Sequence, residues 1–187
     1  MKKKLLASVV AIALVACCVI GGTLAWLTDQ TDPVVNTFTV GDVNIDLTET
    51  TGTNYKVVPG VDIDKDPTVT VEAGSEACYL FIKVDESNWP DFKEADGTTR
   101  KVNYAIASGW TALEGQTNVY YRVIDAETAN TGVSYTVLAD NTITVSDNLT
   151  KTELDTVTTA PTLTFTAYAV QSAGINSATD AWAEVNG

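Results

Sequence analysis

Apolar and polar side chains alternate at every second residue along most of the chain, and that period most limits how it can fold. Val43, Ile45 and Leu47 alternate with Asn44 and Asp46, and Val69 and Val71 with Thr68 and Thr70. Successive side chains of an extended chain project to opposite faces, so such stretches read as strands with one face in a core. The run Cys78-Tyr79-Leu80-Phe81-Ile82-Lys83-Val84 differs, because both of its alternating sets begin apolar. It predicts a strand buried on both faces. Further strands are expected over 102–107, 118–124, 133–138, 142–145 and 163–170, all rich in the Thr, Val and Tyr that strands favour. Pro59-Gly60, Ala73-Gly74-Ser75, Asp96-Gly97 and Ala139-Asp140-Asn141 are expected to reverse the chain. Strands at this spacing predict an all-β fold, an antiparallel β-sandwich with one short C-terminal helix. That helix is expected over 177–185, capped by Ser177 and apolar along Ala178, Ala181, Trp182 and Val185, with Trp182 sealing it onto the sheets.

The first 25 residues follow a different logic. Lys2, Lys3 and Lys4 precede an apolar run from residue 5 to residue 20, and Gly21-Gly22-Thr23-Leu24-Ala25-Trp26 follows. A basic start, an apolar middle and small residues at Thr23 and Ala25 make a secretory signal cut before Trp26. The expected organisation is therefore a signal peptide over 1–25 and a single β-sandwich domain over 26–187, secreted and without stable membrane insertion after cleavage. Two other readings of the leader stay open. The stretch is long enough to span a bilayer if it is retained, and Leu14-Val15-Ala16-Cys17 has the form that precedes a lipidated cysteine at Cys17.

Charge narrows the partners. The chain has 24 acidic and 11 basic residues, a net charge of -13, and loss of the three leader lysines would take it to -16. Such a surface repels nucleic acid, whose binding needs Lys and Arg to displace counterions, and it repels anionic membranes. Two of the three cysteines lie in the leader, so Cys78 stands alone in the cleaved chain and no internal disulfide can form there. Cys78 is expected to serve as a small buried hydrophobe. Histidine is absent, which excludes every His-based zinc site and every Ser-His-Asp or Cys-His nucleophile. No catalytic pair is organised, no cofactor is implied, and the chain is not expected to be an enzyme.

Three constellations carry weaker signals. Asp62, Asp64 and Asp66 alternate like calcium-loop ligands, but an EF-hand would need Gly where Pro67 stands and Glu where Ala73 stands, so a solvated acidic turn is the expectation. Trp89, Trp110, Tyr120 and Tyr121 could form an aromatic platform for a sugar or could be packing residues. Asn148-Leu149-Thr150 matches a glycosylation acceptor and is expected to be a turn.

The leader ending Gly21-Gly22-Thr23-Leu24-Ala25-Trp26-Leu27-Thr28-Asp29, followed by Asn36-Thr37-Phe38-Thr39-Val40-Gly41 and Leu47, resembles the TasA/camelysin group of proteins exported by Gram-positive bacteria. Those proteins share a small-glycine-aromatic leader end and an N-T-F-x-x-G-x-x-x-x-x-L segment. Val58-Pro59-Gly60, the stretch 78–84 and Leu163-Thr164-Phe165-Thr166-Ala167-Tyr168-Ala169-Val170-Gln171 are similar to later parts of the group, so the resemblance covers most of the chain. It implies cleavage by a SipW-type signal peptidase and a sandwich of jelly-roll type. It also implies a secreted structural role in a biofilm matrix or at the cell surface. Fibres would form when segment 26–40 leaves its own domain and completes the sheet of another copy or of a related matrix subunit. Trp26, Leu27, Asn36, Phe38 and Val40 would be the donor residues, with Asn36, Phe38 and Val40 on one face of the strand. The same segment could instead be an ordinary first strand of its own domain. Camelysin is a peptidase-type relative, and the absence of histidine removes that activity from this chain. The alternative function is a monomeric surface module that binds a glycan or host ligand.

Overall fold

Strands dominate the residues that the computed structural model describes, 42–52 and 54–185. The leader with Cys17, the cleavage residues Thr23, Ala25 and Trp26, and the donor residues Leu27, Asn36, Phe38 and Val40 lie outside them. In chain order the elements are β1 (Ile45–Thr48), β2 (Ile63–Asp64), β3 (Thr68–Val71), β4 (Cys78–Ser87), β5 (Val102–Ile106), β6 (Thr111–Ala112) and β7 (Val119–Ile124). Then come α1 (Ala126–Thr131), β8 (Val133–Thr136), β9 (Leu138–Val145), α2 (Lys151–Leu154), β10 (Thr162–Gln171) and α3 (Ala178–Val185). All fall within one compact unit, Val40–Gly187. No helix among the described residues is long and apolar enough to cross a membrane.

The strands form three sheets, ordered β1-β3-β8, β10-β4-β7-β6 and β2-β9-β5, and every pairing is antiparallel. The first two share a core. Val69 and Val71 of β3 meet Cys78, Leu80, Ile82 and Val84 of β4, all six 2% exposed or less. The opposite face of β4 is also covered: Phe81 packs beneath α3, its ring 5.1 Å from that of Trp182, and Tyr168 of β10 meets the same indole edge-on at 5.3 Å. The two-faced burial of β4 and the sealing role of Trp182 are thus as expected from sequence. A third cluster, built on Val102, Leu138, Ile143, Val145 and Leu149, fills the β2-β9-β5 sheet.

Two sheets run into each other through one irregularity. Val137 N–H donates to Pro67 O at 2.9 Å in the β3-β8 register, whereas Lys65 N–H donates to Asn141 O at 2.7 Å in the β2-β9 register. Between these pairs three residues, 138–140, therefore stand opposite Asp66 alone. Asp140 and Asn141 absorb the excess with φ of 53° each, a left-handed conformation that Asp and Asn tolerate. Ala139-Asp140-Asn141 is therefore a bulge inside β9, not the chain reversal expected. The other turns are as expected: Gly60 (φ 72°) closes Pro59-Gly60 with Val61 N–H on Val58 O at 3.0 Å, the geometry of a type II turn.

The helix at 178–185 is present with its cap, Asp180 N–H donating to Ser177 Oγ at 3.1 Å. It is not alone, which corrects the expectation of one short C-terminal helix. Asp125 caps α1 by accepting from Thr128 N–H at 2.8 Å. Thr150 and Glu153 form a reciprocal capping box on α2. Both helices are single turns whose apolar residues show no helical stripe, so periodicity misses them.

Candidate functional site

Among the described residues β10 pairs with β4 alone, so its other edge is open. The ladder shows which groups face outward. Ser172 N–H donates to Ala77 O at 2.8 Å, so the pair 172/77 is hydrogen-bonded, and antiparallel pairs alternate. Even-numbered residues of β10 therefore bond to β4, while Leu163, Phe165, Ala167 and Ala169 aim their backbone N–H and C=O at the open edge. The side chains of these four residues face the shared core and are only half-buried. The adjoining row on β4, Cys78, Leu80, Ile82 and Val84, is buried to 2% or less. Among the described residues the core is therefore less fully covered along β10 than along β4.

β1 is the edge strand of the facing sheet, and it is handled differently. Asn44 O accepts from Glu72 N–H at 2.9 Å, so Val43, Ile45 and Leu47 aim their backbone groups outward. Two of those outward donors are already occupied: Val43 N–H donates to Asp42 Oδ1 at 2.8 Å and Leu47 N–H to Asp46 Oδ1 at 2.9 Å. A carboxylate at each outward N–H blunts an edge against further pairing. No such carboxylate meets the outward donors of β10 among the described residues.

At the Leu163 end of this edge lie two cavities that share Lys65 and Leu163 in their linings. The smaller, about 290 Å³, is bounded by Leu47, Glu49, Pro67, Leu163 and Phe165. The larger, about 460 Å³, is walled by Tyr55, Ile63, Trp89, Pro90, Val102 and Leu163, among others. Lys65 lines both and is only 6% exposed. Its ammonium bonds Glu49 Oε1 at 2.6 Å and lies 5.0 Å from the ring centre of Tyr55 and 5.5 Å from that of Phe165. Glu49 Oε1 also accepts from Tyr55 O–H at 2.5 Å, and burial together with this carboxylate raises the Tyr55 pKa.

The three aspartates read as weak calcium ligands do not converge. Asp62 Oδ1 accepts from Val145 N–H at 3.0 Å, and Asp66 accepts from Thr50 N–H at 2.9 Å, Thr51 N–H at 3.0 Å and both threonine hydroxyls. These bonds hold the Asp66 carboxyl well below its usual range, the Thr50 hydroxyl contributing most. Asp64 is exposed in β2. Among the described residues no three His, Cys, Asp or Glu side chains gather as a metal would need.

The aromatic platform is likewise dispersed. Trp89 stacks edge-on to Tyr104 and donates to Val102 O at 3.3 Å, whereas Trp110 packs on Tyr135 and donates to Thr136 O at 2.9 Å. Tyr120 faces the shared core and Tyr121 the α3 side. Four aromatics in three separate clusters present no common surface to a sugar. Sequence reasoning missed Lys65, Glu49 and Tyr55, whose only local signal is a lysine within an acidic run. No family model, curated protein or solved structure matches the chain.

Proposed function

We propose that this is an exported structural protein that assembles into fibres of an extracellular or biofilm matrix, or at the cell surface, by strand exchange. Segment 26–40 of one copy, freed by a SipW-type peptidase cutting before Trp26, adds to the β10 edge of another copy or a related matrix subunit. The three- and four-stranded sheets with their common core are read as the two leaves of a jelly-roll sandwich. The observation that carries the proposal is the asymmetry of the two edges: β1 has two of its three outward donors covered by Asp42 and Asp46, while among the described residues β10 offers uncovered backbone groups above a half-buried row of apolar side chains. Adding a strand to an exposed edge uses main-chain hydrogen bonds for affinity and alternate side chains for specificity. Asn36, Phe38 and Val40, sharing one strand face, supply such alternate side chains.

The test is deletion of residues 26–40. Electron microscopy is expected to show fibres from the chain that begins at Trp26 and none from the truncated one, with circular dichroism showing the same β signal in both. Fibres from the truncated chain would overturn the proposal. N-terminal sequencing of material recovered outside the cell is expected to begin at Trp26.

A further inference from the structure

The larger cavity has features that strand exchange does not use. Its walls are largely apolar or aromatic, with Tyr55, Ile63, Trp89, Pro90, Val102 and Leu163 prominent beside Asn54 and Thr162, and the buried Lys65 is part of the lining. Among the described residues that ammonium makes one carboxylate bond, to Glu49. An ammonium has three N–H donors. The Tyr55 and Phe165 rings attract its charge through their faces, but a ring face is a weaker acceptor than an oxygen. A buried donor in the lining of a largely apolar chamber is the arrangement by which ligand sites fix orientation.

The charges say what kind of molecule fits. Lys65 and Glu49 neutralise one another. A ligand carboxylate or phosphate would compete with Glu49 for the same ammonium, and a ligand cation would meet Lys65 itself. Either charge would sit uncompensated in a low-dielectric space. We infer that the cavity walled by Trp89, Tyr55 and Val102 binds an uncharged, largely apolar small molecule carrying one carbonyl-type oxygen, which accepts a hydrogen bond from Lys65 Nζ. At about 460 Å³ the space is of the size that takes a bicyclic ring system.

The naphthalene ketone Prodan has this chemistry, and 6-propyl-N,N-dimethyl-2-naphthylamine, with CH2 in place of C=O, is its counterpart without the carbonyl oxygen. Both are titrated by fluorescence into the full chain as its native processing leaves it. Prodan is expected to bind saturably at one site, about tenfold more tightly than the amine, the difference one hydrogen bond makes. Removing the ion pair as a unit, in the double variant Glu49→Gln with Lys65→Met, should reduce that preference to within about twofold. Ala160→Trp, which places a bulky ring on an exposed residue at the cavity mouth, should abolish binding of both probes while the thermal melt stays unchanged. Absence of saturable Prodan binding overturns the inference, as does binding that survives Ala160→Trp or a carbonyl preference that survives loss of the pair. Should the double variant not fold, the Prodan-to-amine ratio and the Ala160→Trp arm decide alone.

Discussion

Lys65 is one of the two buried polar or charged residues among those described, and its surroundings set what its loss would do. Lys65→Met keeps the alkyl stem but leaves the Glu49 carboxylate, itself 21% exposed, without its cation. A charge left without its partner in a partly buried place costs on the order of 1–3 kcal/mol. The urea midpoint of Lys65→Met should therefore fall, and adding Glu49→Gln should recover most of the loss, because the leftover charge is then gone as well. Cys78 lends itself to a simpler measurement. It is fully buried, and burial pushes its thiol up to about 11. Since the thiolate is the reactive form, Cys78 should resist iodoacetamide at pH 8 in the native protein and react once the chain is unfolded, as peptide mass mapping would show. At this scale the sequence was legible in part. A lone cysteine opening an apolar run reads as core, and Cys78 is core. The Lys65 site was not legible, because Glu49, Tyr55 and Phe165 come from three separate segments and no spacing rule connects them.

In the proposed mechanism assembly turns on β10, and its ladder suggests a selective variant. Ala167 aims its N–H outward, so Ala167→Pro removes a donor from the open edge and none from the β4 pairing. Proline is tolerated at such edge positions. Ala167→Pro subunits should remain folded, keep their own donor segment, and fail to accept one. Mixed with unaltered protein they should cap growing fibres and shorten them in proportion to their fraction, measured as mean length in micrographs. Unchanged lengths would point away from β10 as the acceptor. Among the elements, β4 and α3 were readable from sequence because each carries a regular period long enough to define its buried faces. The helices α1 and α2 were not found by period, although Thr150-Lys151-Thr152-Glu153 spells the capping box that α2 uses.

For the whole molecule, charge and hydrogen bonding divide the acid range. Asp66, Asp96 and Glu153 all titrate below their ordinary values: Asp66 through the Thr50 and Thr51 bonds, Asp96 at about 2 through Thr99 and Thr98, and Glu153 at about 2 through Thr150 and Lys101. A carboxylate whose folded value is depressed supports the fold fully above its unfolded value and loses that support as pH falls towards the folded one. The fold should therefore hold down to about pH 4 and weaken between there and about pH 2, seen as falling thermal midpoints. The sequence isoelectric point is near 4.1, so self-repulsion fades while the fold is still intact. Light scattering should rise between pH 6 and pH 4.5 and be flat from pH 8 to pH 6; no change across the whole interval would contradict charge control of assembly.

The sequence by itself determined an antiparallel all-β chain, a strand with two buried faces, a capped helix under Trp182, a strongly acidic surface and a buried thiol at Cys78. Each follows from period, turn chemistry or composition, which act over a few residues or over none in particular. Only the tertiary structure decided that Ala139-Asp140-Asn141 kinks a strand instead of ending it. It likewise decided that Asp62 and Asp66 bond backbone amides, that the aromatics separate into different cores, and that among the described residues β1 is a partly covered edge while β10 has no carboxylate on its outward donors. Those outcomes depend on strand order and on which distant segments meet, and such long-range packing leaves no local repeat for a reader of the sequence to find.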